Sequence, residues 1–517
     1  MKLKVSISLA MVVLLVSGAG LSEAPKLHPA GGLLFVDPYT VPGFKVLPVP
    51  RGAPTAAPPS AIDLTSEMPP VGDQGSQNSC VGWAAGYYDK THVEYVERHW
   101  GWDTTWYPNV PEHQVSPSFI YNQINAGRDA GASMMDAQIL ICTQGASMMN
   151  DFPYHDYDYT TWPSELAYEN AIAYRGYDSY GVNMMEDPGI NQVKTVLANH
   201  TTCVLGINIF PNFDYIENYD TVYTVHDKYG RSRGGHALCI VGYDDNKQTA
   251  DGPGAFRLVN SWGEDWGNNG YCWMSYYAVK TAKAGLSQGW VYVTFDRYKY
   301  EPEALARVKL THPCRDRISI TFGAGSPGNP LAYYTFRRFW ALEGQITDRP
   351  FPNNNLVFDL TDGAEYLDQS DTAFVSCLDR KKDRKTGTID FLSVEYGSRY
   401  GSSGQKVPIP DYNVPAYDKV VLPFPSGPQG RPLDGSVAAS RASYRNGTAD
   451  VVFNLARPGT VKVAFFDDVG RTVAAATVQC QSGPNELSVK LPRSAGVYFY
   501  RLVSGSTTMM GKLAAVR

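Results

Sequence analysis

Three short runs in this 517-residue chain hold residue types that, brought together, could carry out nucleophilic chemistry. In the first, Gly72-Asp73-Gln74-Gly75-Ser76-Gln77-Asn78-Ser79 leads into Cys80, and apolar residues follow at Val81, Ala84, Ala85, Tyr88, Tyr95 and Val96. That spacing predicts an amphipathic helix beginning at Cys80. Unpaired backbone N–H groups and the macrodipole favour negative charge at a helix start, so a cysteine there has a lowered pKa and more of its reactive thiolate form. An isolated cysteine is more often a buried packing residue, and the Gly/Ser-rich junction is what raises Cys80 above that reading.

A thiolate needs a proton partner. Of nine histidines, His236 has the most informative frame, Gly234-Gly235-His236-Ala237-Leu238-Cys239-Ile240-Val241. The apolar run reads as a buried strand with the imidazole held at its mouth, and the two glycines permit close backbone approach by a neighbour. His28, His92, His99, His113, His155, His200, His226 and His312 lack this frame and read as surface or packing residues. The third run is Phe256-Arg257-Leu258-Val259-Asn260-Ser261-Trp262, with Trp266 close behind. An asparagine ending a strand can accept from an imidazole N–H and so fix its tautomer, while the tryptophans exclude water from that bond. Taken singly, the histidine and asparagine are ordinary core and turn residues; only in each other's company, with Cys80, do they point to chemistry.

Positioning three such runs calls for a domain mixing helices and strands, and residues 61–295 carry both periodicities. Ahead of it, Lys2 and Lys4, an apolar run over 5–16 and the small residues Ser17 to Gly20 have the order of a signal peptide over 1–20. Residues 21–60 form a Pro-rich leader expected to be extended and poorly ordered. Residues 300–425 alternate short strand-like runs with Gly, Pro and Asp turns, as in a β-sandwich. A linker over 426–439 precedes a second all-β region over 440–517, where Val461, Val463 and Phe465 alternate with Lys462 and Ala464.

Composition narrows the function. The chain is 43% hydrophobic and 19% charged with a net charge of −6, which gives no support to nucleic-acid binding. No later stretch reads as a membrane span. Eight cysteines in an exported protein are candidates for disulfides, yet they show no paired spacing, so no metal or cofactor is expected; most read as small buried hydrophobes.

Gln74 six residues before Cys80, then Gly-Gly-His236-Ala, then Asn260-Ser-Trp-Gly-x-x-Trp-Gly-x-x-Gly-Tyr resemble the papain-like cysteine peptidases in identity, order and spacing over about 61–280. Pro153-Tyr154 is similar to the family's proline–tyrosine step. The resemblance implies an α+β fold with a helical half and a β-barrel half. It implies Cys80 as nucleophile, His236 as base, Asn260 as the residue orienting His236, and Trp262 as a cover. It also implies Gln74 with the Cys80 N–H as the oxyanion hole, and Gly131-Ala132-Ser133 as the strand that binds substrate backbone. Gln77 and Val81 depart from the family's usual cysteine and tryptophan at those places, without removing a catalytic group. The leader is too short and Pro-rich for a helical inhibitory prodomain, and the expectation in its place is an extended segment over the cleft.

The last region, with Val461 to Arg471, Ala495 to Leu502 and the end from Gly511, resembles type IX secretion sorting domains, which implies that secretion machinery as a partner. Residues 300–425 resemble accessory domains of secreted peptidases, which bind substrate or stabilise the enzyme. The sequence therefore points to a secreted or cell-surface bacterial endopeptidase acting on proteins or peptides through a Cys-His-Asn thioester mechanism. The alternatives are an inactive papain-like scaffold with a binding or adhesive role, and transfer in place of hydrolysis from the same thioester.

Overall fold

Helix does begin at Cys80, but it is wound in three stretches: α1 (Cys80–Gly82), a π-helical stretch (Trp83–Lys90) and α2 (Thr91–Arg98). In this computed structural model the described residues are 28–49, 57–102, 111–186, 188–336, 347–424, 437–445, 447–455, 458–466, 472–491, 496–504 and 507–515. The signal-peptide reading and most of the expected linker lie outside them. The expected amphipathic pattern fails in the π-helical stretch, where Trp83 through Lys90 are all buried. Lys90 is tolerated there because its ammonium sits 2.6 Å from Asp296 and also pairs with Glu94.

Three further helices complete the helical half: α3 (Pro117–Ile124), α4 (Met134–Gln144) and α5 (Glu165–Ile172). Ser116, Ser133 and Ser164 cap them, each accepting a backbone N–H in the first turn, which satisfies donors that a helix start leaves open. Val81, Ala84, Ala85, Phe119, Ile120, Ala137 and Ile141 pack together between these helices.

The other half is a sheet of eight strands: β1 (Ala61–Asp63), β2 (Gly176–Asn183), β3 (Cys203–Ile209), β4 (Val222–Tyr223), β5 (Gly234–Asp244), β6 (Ala255–Val259), β7 (Tyr271–Ser275) and β8 (Ser287–Asp296). The hydrogen-bonded path is β2-β8-β3-β5-β6-β7-β4, with β1 on the far end of β5. Pairing does not close this path into a ring among the described residues; β2 and β4 are its ends. Helix α6 (Pro188–Ala198) leads into β3. Strand β5 is central, with Gly235 through Tyr243 buried. Its alternation sends Leu238 and Ile240 into one core and Cys239 and Val241 into another, toward Trp83 and Tyr87 of the helix.

Leader residues 28–49 are ordered, contrary to the expectation from their proline content. Lys45 and Leu47 bond the backbone of Gly181 in β2, and Phe44 meets Trp290 edge to face at 5.4 Å. Backbone pairing tolerates proline between the bonded positions, which composition alone does not reveal.

Past β8 the chain forms two further sheets between 304 and 421. One has the order 329–336, 318–326, 372–379, 416–421; the other is built on 304–311 and 387–396. Among their contacts with the helical half is Arg175, which is 1% exposed. Its guanidinium pairs with Asp359 and Asp362 and donates to the Cys142 carbonyl at 2.9 and 3.1 Å, while Tyr300 donates to Asp359 at 2.6 Å. A buried cation so fully partnered fixes the register of the two parts more than it stabilises them. The last region has a three-stranded and a four-stranded sheet, and Val461, Val463 and Phe465 face its core. All eight cysteines are free thiols, seven of them buried, so the disulfide expectation gives way to the packing one. No helix among the described residues is long and apolar enough to cross a membrane.

Candidate active site

Cys80, His236, Asn260, Trp262 and Gln74 come from four separate elements, yet each is buried to 1% exposure or less. Strand β5 presents His236 and the end of β6 presents Asn260, because His236 precedes Cys239, which is opposite Val259 in the ladder. His236 Nε2 lies 2.7 Å from Asn260 Oδ1. The same Oδ1 accepts the Ser261 N–H at 2.8 Å, so it is the amide oxygen that faces the ring and Nε2 must carry the proton. Nδ1, buried and without a hydrogen-bond partner, is left as the proton acceptor. The ring sits in an aromatic cage, 4.8 Å from Trp262 and 6.1 Å from Phe213.

Asn260 also ties the helix to the sheet. Tyr88 of the π-helical stretch donates to the Asn260 carbonyl at 2.8 Å and accepts the Gly72 N–H at 3.1 Å. Ser261 donates to Gln74 Oε1 at 2.7 Å, which turns the Gln74 amide nitrogen away from it and toward the Gln77 carbonyl, also at 2.7 Å. Tyr154 braces the same loop, donating to the Gln74 carbonyl at 2.8 Å and meeting Ser79 Oγ at 2.8 Å.

The leader crosses this site in extended form. Leu33 pairs with Gly235 antiparallel and with Ala132 parallel, so one strand of leader bonds both halves of the domain. The Gly31 and Leu33 N–H groups donate to the Gly235 carbonyl at 3.0 and 3.1 Å; Leu34 N–H donates to Ala132 O at 2.9 Å and Ala132 N–H to Gly32 O at 3.0 Å. The approach is close enough to demand glycine: a Cβ on Gly32 would lie 2.7 Å from Cys80 Sγ, and one on Gly235 would lie 2.4 Å from the Leu33 carbonyl oxygen. Leu33 and Phe35 side chains fill the space above Gly206.

Of the three residues expected to bind substrate backbone, Ala132 makes such pairs here, to the leader. Gly131 lies against it at φ +92°, and Ser133 is occupied as the cap of α4. Trp262 does not stand open: His28 stacks on it at 4.7 Å with planes 6° apart. Of the surface and packing readings, His28 takes the packing one, against a partner that no local motif marks because it lies so far along the chain. Phe213, against both rings, is likewise marked by no local motif as part of the site.

Burial governs the electrostatics. It pushes the Cys80 thiol up to about 12, although backbone N–H groups of Ala237, Val81 and Cys80 itself pull the other way. It lowers His236 to about 4, opposed by the Asn260 bond and reinforced by His28 and Arg233. Under the leader the pair is a neutral thiol and a neutral imidazole. The lowered thiol pKa expected at a helix start is overturned in this state by desolvation, which outweighs the helix terminus.

Residues 59–294 match the model of the papain family cysteine protease. An uncharacterised peptidase C1-like protein of Acanthamoeba polyphaga mimivirus is 26% identical over 213 residues, 40% of this chain and 64% of its own length. A cathepsin B-like protein of Giardia intestinalis is 28% identical over 229 residues, 41% of this chain and 67% of its own. Among solved structures, xylellain, a cysteine protease from Xylella fastidiosa, is 23% identical, covering 53% of this chain and 98% of its own at a TM-score of 0.42. Cys80, His236 and Asn260 all lie within the stretch that matches this family model.

Two measurements test the leader's hold. Forcing a β-branched side chain against Sγ costs ~1–3 kcal/mol, so Gly32→Val in the full-length protein should raise the rate of Cys80 alkylation by iodoacetamide about tenfold or more; an unchanged rate would show that the leader does not guard the thiol. Closure should also depend on pH. His236 is held at about 4 when covered against an ordinary 6.5, so the open state binds the proton first and closure weakens as pH falls from 6.5 toward 4. Cys80 is held at about 12 against an ordinary 9.0, so closure weakens again as pH rises above 9.0. Hydrogen exchange at the Leu33 and Leu34 amides, corrected for intrinsic rates, should be slowest between those limits; a profile flat across them would separate leader binding from the pair.

Proposed function

We propose that this chain is a secreted cysteine endopeptidase, made in a self-covered form, that hydrolyses peptide bonds through a thioester on Cys80. The observation that carries the reading is the 2.7 Å bond from His236 Nε2 to Asn260 Oδ1, which leaves Nδ1 as a base with no other hydrogen-bond partner. Against the inactive-scaffold alternative, the nucleophile, base, orienting amide and oxyanion donor all carry competent side chains.

Withdrawal of residues 28–36 admits water and substrate to the cleft. Rehydration removes the penalty on charge, so the thiol proton passes to His236 Nδ1 as Cys80 engages the substrate. The backbone groups of Ala132 and Gly235 that now bond the leader become available to an extended substrate, which adds as a strand. The thiolate attacks the scissile carbonyl carbon, and its oxygen takes negative charge that the Cys80 N–H and the second N–H of Gln74 Nε2 stabilise. Imidazolium His236 gives its proton to the departing amine, leaving a thioester. Neutral His236 then accepts a proton from water as that water attacks, the C–S bond breaks, and the acid product leaves. Asn260 keeps the ring oriented throughout, and Trp262 keeps competing water from their bond.

Export is part of the proposal, on the charge, apolar run and small residues of 1–20, with residues 440–517 as the type IX sorting signal. Residues 300–425 serve the peptidase domain structurally.

With the leader removed, the protein should cleave a fluorogenic peptide and take an epoxysuccinyl adduct on Cys80. Cys80→Ala should abolish both, and Gln74→Ala should lower kcat by ~10²–10³. Turnover surviving in Cys80→Ala would end the reading. Secreted protein should begin beyond residue 20, and a chain truncated before 440 should stay behind in the periplasm; release of that truncated chain would remove the sorting role.

A further inference from the structure

Thr347, in the irregular segment before the strand Leu356–Asp359, touches the peptidase domain at a place that leads to the cleft. Thr347 Oγ donates to the Ala126 carbonyl at 2.9 Å, and the Thr347 N–H approaches the same oxygen at 3.4 Å. The contact leaves no room for a side chain: a Cβ on Gly127 would lie 2.4 Å from Thr347 Oγ. Thr347 is itself fixed from behind, since its carbonyl accepts the Cys314 thiol at 3.1 Å and Arg349 O accepts the Arg315 N–H at 2.8 Å.

Ala126 opens the turn that ends at the leader-binding strand. Its φ of +52° is a left-handed conformation that a non-glycine residue adopts only when its surroundings hold it there. Three residues on, Asp129 Oδ1 accepts the Asn78 N–H at 2.9 Å and the Tyr121 hydroxyl at 2.7 Å, while its carbonyl accepts Asn78 Nδ2 at 3.0 Å. Tyr121 in turn accepts the Gly131 N–H at 3.2 Å. The turn from 126 to 131 thus bonds both the loop before Cys80 and the strand at Ala132.

We propose that Thr347 is a positioning residue for the peptidase: by holding the Ala126 carbonyl it sets the Ala132 backbone that receives an extended chain. The sheets past residue 300 then act as a buttress of the cleft wall. The kinetic part of this inference rests on the peptidase reading; its structural part does not.

Hydrogen exchange of the full-length chain is the first test. The Ala132 and Leu34 amides, which bond across the cleft, should exchange about fivefold faster in Thr347→Ala, the loss expected for one hydrogen bond. Thr347→Ser, which keeps the hydroxyl, should restore them, and the amides of Cys80 through Arg98 should not change. On a peptide substrate, Thr347→Ala should raise KM about three- to tenfold at unchanged kcat. Wild-type exchange at Ala132 in Thr347→Ala, or a uniform rise across 59–294, would overturn the proposal. A wild-type protein without turnover would count against the peptidase reading, and the exchange result would still decide the role of Thr347.

Discussion

The bond between His236 and Asn260 joins the mouth of β5 to the end of β6, and the rest of the site is arranged around it. It needs an amide oxygen facing the ring, and the Ser261 N–H on the same Oδ1 enforces that choice. Ser261 then orients Gln74, and Tyr88 carries the Asn260 carbonyl back to the helix that starts at Cys80. His236, the helix that starts at Cys80 and the Gln74 side chain are thereby coupled through one residue and its neighbour. Hydrogen bonds in such a buried network are strong, and each lost partner leaves a desolvated polar group behind.

The same burial that strengthens the network silences its chemistry. A covered thiol and imidazole keep their protons where desolvation puts them, whatever the helix terminus contributes. The leader achieves this with backbone bonds to Gly235 and Ala132 and with glycine at the point nearest the sulfur. In the proposed mechanism, covering and activity are two hydration states of one pair, and the leader's pairing with its two edges sets the balance between them.

Those edges are not held by residues 59–294 alone. Arg175 fixes the sheets beyond residue 300 against the helical half, and Thr347 reaches from them to the turn before Ala132. A region outside the family match can thus bear on the site, because Ala132 pairs only through an isolated bridge and the turn before it is held by side-chain bonds.

Much of the site could be read from the residues in order. Gln74, Cys80, His236 and Asn260 sit in runs whose local pattern says which element each belongs to, and the helix start and the buried strand β5 follow from apolar spacing. The π-helical winding did not follow, since a stretch buried on all sides has no amphipathic signal. Nor did the order in the leader, the stacking of His28 on Trp262 or the bond from Thr347 to Ala126, each of which links positions far apart along the chain. Residue types and spacing determined which groups this protein could use for nucleophilic chemistry. Only the tertiary structure decided the direction of their pKa shifts, because a pKa depends on how much water reaches the group, and that depends on which distant segments pack over it.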